Sequence, residues 1–194
     1  MATATPSQTY TKEIAPALQK ELGKKNVFEV PRVEKVKVSI GMGKIARKGG
    51  SSNSMDEAKI KVMAENIAAI TGQKPVIHKS KKAVSNFKIR AGMDIGMSVT
   101  LRGERAHDFL SRLVNVSLPR VRDFRGIPSK FDGNGNYTVG LRDHTVFPEI
   151  QPDHTDFTHG LEVTVVTTAK NDIDGKALLT KLGFPFIKKE STQS

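Results

Sequence analysis

Cysteine and tryptophan are both absent from the 194 residues. Without cysteine, the chain can form no disulfide, no zinc–thiolate site and no thiol nucleophile. It also lacks an apolar run long enough to cross a membrane. The first ten residues show neither the Arg-rich pattern of a transit peptide nor the apolar stretch of a signal peptide. We therefore expect a cytoplasmic protein, and its 37% hydrophobic content is enough for one core.

Acidic residues are scarce over one half of the chain. The formal net charge is +11, and residues 31–105 carry sixteen Lys or Arg against six Asp or Glu, a surplus of +10. Residues 143–174 carry seven acids against one base. Diffuse positive charge also keeps many proteins in solution. A surplus gathered in one half instead favours a polyanionic partner, and nucleic acid above all.

Apolar residues at helical spacing predict four helices. They are expected over residues 11–22, from Ser54 to Gly72, from Glu104, and over residues 173–182. Ser54 and Glu57 form a capping box at the second helix, and Asp172 is the expected N-cap of the last.

Alternating apolar and polar residues predict strands at 36–40, 97–101 and 161–168. Asn134-Gly135 predicts a turn into a further strand from Tyr137. Together the elements predict an α+β fold, an antiparallel sheet with helices packed on one face and with the opposite face and the loops basic for RNA. We expect one domain over residues 11–188, with disordered segments at 1–10 and 189–194. Residues 44–53 are expected to form a flexible basic loop.

Two of the predicted strands have a polar side that contains no acid. Its residues are Lys35, Lys37 and Ser39 on the first strand and Ser98, Thr100 and Arg102 on the second. A sheet face that meets only water usually mixes Glu with Lys. Cations and hydroxyls without acids therefore favour phosphate and ribose oxygens as ligands.

Residues 73–90 hold six basic residues and no acid. Lys79, Lys81 and Lys82 are clustered, so contact with nucleic acid should weaken steeply as salt rises. Phe87 lies among these cations. It can stack on a base, or it can pin the loop to the body of the protein; from the sequence we favour the pinning role.

An RNA-processing enzyme is the main alternative. His144, His154 and His159 lie near several acids and could in principle bind a metal or act as acid and base. Their spacing matches no metal-binding motif, and Gly41 to Lys44 lacks the spacing of a phosphate-binding loop. A general DNA-binding protein is a weaker alternative, because no recognition helix is evident. We expect no catalytic residue, metal or cofactor.

Several short sequence segments resemble those of the fifth protein of the bacterial large ribosomal subunit, the 5S-rRNA-binding family. They occur in order at residues 30–35, 70–75, 86–90, 99–105, 119–126, 131–137, 147–150 and 167–170. The similarity runs from about residue 8 to Lys188. It implies an α+β domain whose sheet docks on 5S rRNA in the central protuberance.

The resemblance also implies further partners and a set of contact residues. The partners are 23S rRNA, the P-site tRNA, the thirteenth small-subunit protein across the intersubunit bridge, and other 5S-associated proteins of the large subunit. Family contacts to 5S rRNA fall near Ser39 and on Gln73, Thr100 and Arg102. With the flanking cations and the sheet face, the predicted 5S-binding set is Arg32, Lys35, Lys37, Ser39, Gln73, Lys74, Ser98, Thr100 and Arg102. The tRNA-proximal loop falls on His78, Lys79, Ser80, Lys81, Lys82, Ser85 and Asn86.

The chain departs from the family pattern at a few places. Position 39 is usually Asn in the family, and Ser39 offers only a single hydroxyl. The segments at residues 47–53 and 191–194 look longer than the corresponding segments of the family. The bridge to the small subunit is expected within the loop-rich region after Pro119.

Overall fold

A computed structural model describes residues 10–42, 54–87, 89–150 and 158–187, with the backbone alone at 11, 12 and 54–58. The predicted basic loop at 44–53, the predicted disorder of both ends, the capping-box side chains and His154 lie outside the described residues.

Five strands form one antiparallel sheet in the order β2-β3-β1-β5-β4. They are β1 (Val33–Gly41), β2 (Val76–Lys79), β3 (Asp94–Leu101), β4 (Tyr137–Leu141) and β5 (Leu161–Thr167). The predicted strands are thus confirmed, and β2 is an addition within the segment that we expected to be loop. The predicted α+β class with an antiparallel sheet is confirmed.

Four α-helices lie within the described ranges. They are α1 (Ala15–Glu21), α2 (Ser54–Thr71), α3 (Glu104–Arg112) and α4 (Asp172–Lys181). A π-helical turn at Tyr10–Ile14 precedes α1, and another at Leu113–Ser117 extends α3. Gly72 ends α2 with a φ of +68°, a left-handed conformation that glycine adopts at little cost. No described helix has the length and apolar character that crossing a bilayer requires.

The chain divides into two compact units. Unit 1 comprises residues 1–36, 102–139 and 164–194, and unit 2 comprises residues 37–101 and 140–163. The prediction of a single domain over residues 11–188 stays a prediction.

In unit 1, α1 packs against α4. Leu18 is fully buried in a cluster with Val30 and Leu178, and Ile14 and Leu22 pack against its edge. Ile14, Leu18 and Leu22 recur every fourth position and form the apolar side of the helix predicted over residues 11–22. The Lys24 ammonium lies 3.3 Å from the Asp174 carboxylate, and this hydrogen bond raises the pKa of Lys24.

The loop before β4 is held on the first turn of α4. The Asp172 carboxylate accepts hydrogen bonds from the backbone N–H groups of Gly133 and Gly135, each at 3.0 Å. The predicted N-cap was therefore wrong. Asn171 caps α4, since its side chain accepts from Asp174 N–H at 2.8 Å, and Asp172 anchors the loop instead.

In unit 2, two buried histidines stack face to face. The ring centroids of His144 and His159 are 3.9 Å apart with 9° between the ring planes. Burial lowers the pKa of both, that of His159 to about 4, and the Asp143 carboxylate only partly offsets this effect. Both rings are therefore neutral near pH 7, as expected for imidazoles removed from water.

We predict that Gly175→Ala destabilises the protein, although alanine favours a helix by about 1 kcal/mol over glycine. A Cβ at Gly175 would lie 2.5 Å from the Gly135 carbonyl oxygen, so the loop or the helix must shift. We expect a loss of about 2 kcal/mol or more, measured by urea unfolding. Gly140→Ala is the matched control, because a Cβ there meets nothing within 4 Å. Equal stability of the two variants would contradict the close-packing account.

We predict that stability falls as the pH decreases from 6.5 towards 4. In this range the folded state binds fewer protons than the unfolded chain, because the pKa of buried His159 is about 4 and its ordinary value is 6.5. The loss should reach roughly 3 kcal/mol, at about 1.4 kcal/mol for each pH unit between the two pKa values.

Urea midpoints measured across this pH range check the effect. His159→Phe keeps an aromatic ring but no titrating group, so it should flatten the profile. His78→Gln is the control, because it removes a histidine outside the stacked pair and the glutamine amide can replace the hydrogen bond to Ser98. A wild-type profile that does not change between pH 6.5 and 4 would refute the assignment.

Candidate nucleic-acid interface

Strand alternation positions the polar side of unit 2. Val38, Ile40, Met97, Val99 and Leu101 are all buried. Between them, Lys37 and Thr100 are exposed and Ser39 is half-buried. A strand that buries every second side chain must present the others on the opposite side. A cation and a hydroxyl thus face outward on two neighbouring strands, as the sequence predicted.

Ser98 does not join this open surface. It is only 7% exposed, and its Oγ lies 2.6 Å from Nε2 of His78 on the adjacent strand. The expectation of a free hydroxyl at this position is wrong. The pair instead ties the first residue of the predicted tRNA-proximal loop to β3, because the hydrogen bond joins the two strands.

Gln73 and Lys74 follow the C-terminus of α2 in a fixed turn. The buried Thr71 hydroxyl donates to Ile67 O at 2.7 Å and lies 3.1 Å from Gln73 O. The Gln73 side chain is half-buried and that of Lys74 is exposed. The turn therefore presents an amide and an ammonium group beside the strands of unit 2.

β2 and β3 continue into a hairpin formed by residues 76–101, which we call the basic hairpin. Ser80 N–H donates to Met93 O at 2.8 Å, and Gly92 N–H donates to Ser80 O at 2.9 Å. The Ser80 hydroxyl also donates to Lys82 O at 2.7 Å. Backbone hydrogen bonds thus order the base of the predicted tRNA-proximal loop.

Most side chains of residues 78–87, at the open end of the basic hairpin, are exposed to solvent. The exposed members of the predicted set are His78, Lys79, Lys81, Lys82, Ser85 and Asn86, and Ser80 is half-buried. Phe87 is 58% exposed, so the prediction that it pins the loop to the body is wrong. None of the three lysines pairs with an acid among the described residues. Their charge is therefore available to a partner.

Unit 1 holds the remaining predicted cations. Arg102 is exposed, and its Nη1 lies 3.4 Å from Oε1 of Glu34, which also lies 3.7 Å from the Lys35 ammonium. The sequence predicted that Lys35 and Arg102 lie on strand sides without acids. It did not take account of Glu34, the residue before Lys35, which lies near both cations. Exposed ion pairs of this kind contribute at most about 1 kcal/mol, so a phosphate can displace the carboxylate.

Arg32 is anchored through its backbone rather than its side chain. Its N–H donates to the Thr168 hydroxyl at 3.0 Å, and its carbonyl accepts from Thr168 N–H at 2.9 Å. The guanidinium tends to lower the pKa of Tyr10, although burial of the phenol outweighs this and raises it. Arg105, Arg120, Arg122 and Arg125 are also exposed in unit 1.

Of the three histidines in the predicted cluster, His144 and His159 are described, and both are poorly placed for catalysis. His144 is fully buried and His159 is 8% exposed, so the stacked pair has little access to a substrate. Across the ranges that the structure covers, no three His, Asp or Glu side chains are grouped to hold a metal.

Comparison with known proteins identifies the family. The family model described as "Ribosomal protein L5" matches residues 26–90, and the model for the C-terminus of the same ribosomal family matches residues 94–186.

Relatives named "Large ribosomal subunit protein uL5" match almost the whole chain, as three examples show. The protein of Halothermothrix orenii is 51% identical over 181 residues, which cover 93% of this chain and 97% of the relative. That of Bdellovibrio bacteriovorus is 52% identical over 181 residues, 92% and 96% of the two chains. That of Syntrophotalea carbinolica is 51% identical over 186 residues, 94% and 95%. At this identity over nearly its whole length, the chain belongs to the bacterial-type ribosomal protein L5 family.

Proposed function

We propose that the protein is a non-enzymatic constituent of the large ribosomal subunit in the cytoplasm, where it binds 5S rRNA in the central protuberance. The observation that carries the proposal is the set of exposed donors in a chain of this family: Lys37 on β1, Thr100 on β3, and Lys79, Lys81 and Lys82 of the basic hairpin, whose ammonium groups pair with no acid among the described residues. Such donors suit the phosphate and ribose oxygens of folded RNA. The further partners are 23S rRNA, the P-site tRNA, other 5S-associated proteins and the thirteenth small-subunit protein.

The 5S-binding role is proposed for the rigid elements. In unit 2 it rests on Lys37, Thr100, Gln73 and Lys74, and in unit 1 on Arg32, Lys35 and Arg102. Ser39 contributes a half-buried hydroxyl, and Ser98 acts through His78 rather than by direct contact. Because these residues stand on strands or next to hydrogen-bonded turns, their backbone is already ordered and only the freedom of the side chains is lost when RNA binds.

The tRNA-proximal role is proposed for the tip of the basic hairpin. Lys81 and Lys82 are exposed there, away from acids among the described residues, and they attract phosphates without reading sequence. The bridge to the small subunit is proposed for the loop-rich region after Pro119, where Arg120, Arg122 and Arg125 are exposed.

We predict that Thr100→Ala with Arg102→Ala lowers 5S rRNA affinity by about 10- to 100-fold at physiological salt, since a hydrogen bond to a charged group contributes roughly 1.5–3 kcal/mol. Filter binding across a salt series measures the effect against an unrelated structured RNA. Thr180→Ala with Lys176→Ala is the matched control, an exposed hydroxyl and an exposed cation on α4. Equal losses in the two double variants would mean that only diffuse charge binds RNA.

Cleavage of the RNA on addition of a divalent metal would favour the enzyme alternative.

We predict that Lys81→Glu with Lys82→Glu weakens P-site tRNA binding by reassembled ribosomes more than it weakens 5S rRNA binding by the purified protein. The reversal places two acids at the tip of the hairpin and leaves the strand residues unchanged. Lys20→Glu with Lys25→Glu has the same change in charge at exposed sites of unit 1 and is the control. If 5S and tRNA binding fall by the same factor, the two surfaces are not separate.

A further inference from the structure

The tip of the basic hairpin exposes two apolar side chains. Val84 is 41% exposed and Phe87 is 58% exposed, and they lie three positions apart. Single exposed apolar residues are common on protein surfaces. Here the two accompany the densest group of cations described above, and neither contributes to the buried core. Their exposure therefore calls for a partner with an apolar face.

The backbone fixes the position of Phe87. Val84 and Ile89 exchange two hydrogen bonds, Val84 N–H to Ile89 O at 2.9 Å and Ile89 N–H to Val84 O at 3.1 Å. Phe87 N–H donates to Val84 O at 3.2 Å and closes a one-turn helix over Ser85–Phe87. The ring is thus presented on a closed turn, and its binding would not require the loop to fold first.

The charge around the ring selects an anionic partner. No Asp or Glu occurs between Gln73 and Met93, and Lys79, Lys81, Lys82 and Arg90 are exposed. A duplex offers these cations its phosphates but hides the faces of its bases. An unpaired base offers both a phosphate and a planar face on which an aromatic ring can stack.

We infer that Phe87, with Val84 beside it, is a stacking surface for an unpaired RNA base whose flanking phosphates are bound by the hairpin lysines. The inference rests on the proposed RNA-binding function and goes beyond it, because it assigns an apolar contact to a loop otherwise explained by charge alone. Ser85 and Asn86 stand exposed between the two apolar residues. Their hydroxyl and amide suit the edge of a base, whereas insertion into lipid would leave them without partners.

The absence of tryptophan gives a direct test. Phe87→Trp places a single indole at the tip of the hairpin in a chain that has no other. Twelve-residue oligouridine and oligoadenine, a twelve-base-pair RNA duplex and 5S rRNA serve as probes. We expect strong quenching of the indole emission by the single strands and little by the duplex. Phe28→Trp is the control reporter, because Phe28 is 93% exposed and belongs to unit 1, whereas the basic hairpin belongs to unit 2.

A second pair of variants separates stacking from charge. Phe87→Leu keeps an apolar side chain but removes the π face, so single-strand affinity should fall by about 5- to 100-fold while duplex affinity is unchanged. Phe87→Tyr should retain the affinity. The dependence of affinity on salt should be the same in both variants, because no phosphate contact is lost.

The outcomes distinguish failure of this inference from failure of the proposed function. An unquenched indole in a protein that still binds 5S rRNA selectively would overturn the stacking surface and leave the ribosomal role standing. If the wild-type protein binds no RNA at all, both fall. A shift of the indole emission with phosphatidylglycerol vesicles but not with RNA would overturn the inference in favour of a membrane contact. Circular dichroism of each variant shows whether it is folded, and Phe87→Leu provides the test if the indole disturbs the turn.

Discussion

The two-residue period of β1 links the core of the protein to its proposed RNA surface. Val36, Val38 and Ile40 are buried, and the same pleat turns Lys37 outward. A slip of one residue would bury an ammonium group and expose three apolar side chains, at a cost of many kcal/mol. The hydrophobic core thus fixes the register of the strand, and the register fixes where its cation stands. No further contact is therefore needed to keep Lys37 on the outward side of β1.

The positive charge is distributed in two different ways. In unit 1, several cations pair with acids, as Lys24 does with Asp174 and Lys181 with Glu21, and Glu34 partly neutralises Arg102. The basic hairpin of unit 2 carries its lysines without a paired acid among the described residues. Like charges held close together repel one another, so the hairpin is more stable when an anion neutralises them. This difference supports a contact of the hairpin with a phosphate-rich partner.

Most helices and strands were predicted from the sequence, because the spacing of apolar residues depends only on neighbouring positions in the chain. The strands at 36–40 and 161–168 and the helix from Ser54 to Gly72 were predicted from residues that are close together in the chain. β2 was missed because it is four residues long and every one of them is exposed, so no alternation marks it. The choice of Asn171 rather than Asp172 as the cap of α4 depends on the loop that contains Gly133, which lies 39 positions before Asp172. No local pattern carries that information.

The candidate site shows the same limit more sharply. Alternation places Ser98 in line with Thr100, yet Ser98 is buried and its hydroxyl is hydrogen-bonded to His78, 20 positions earlier. The prediction for Phe87 failed in the opposite direction, because a side chain expected to be packed is exposed. A lone aromatic in a loop suggests a hydrophobic anchor, but here two backbone hydrogen bonds between Val84 and Ile89 already hold the turn. Since the turn does not need the ring, the ring stays exposed, and we propose that it serves a partner. Backbone pairing across the hairpin, which sequence alone does not reveal, therefore decides whether this side chain supports the fold or the function.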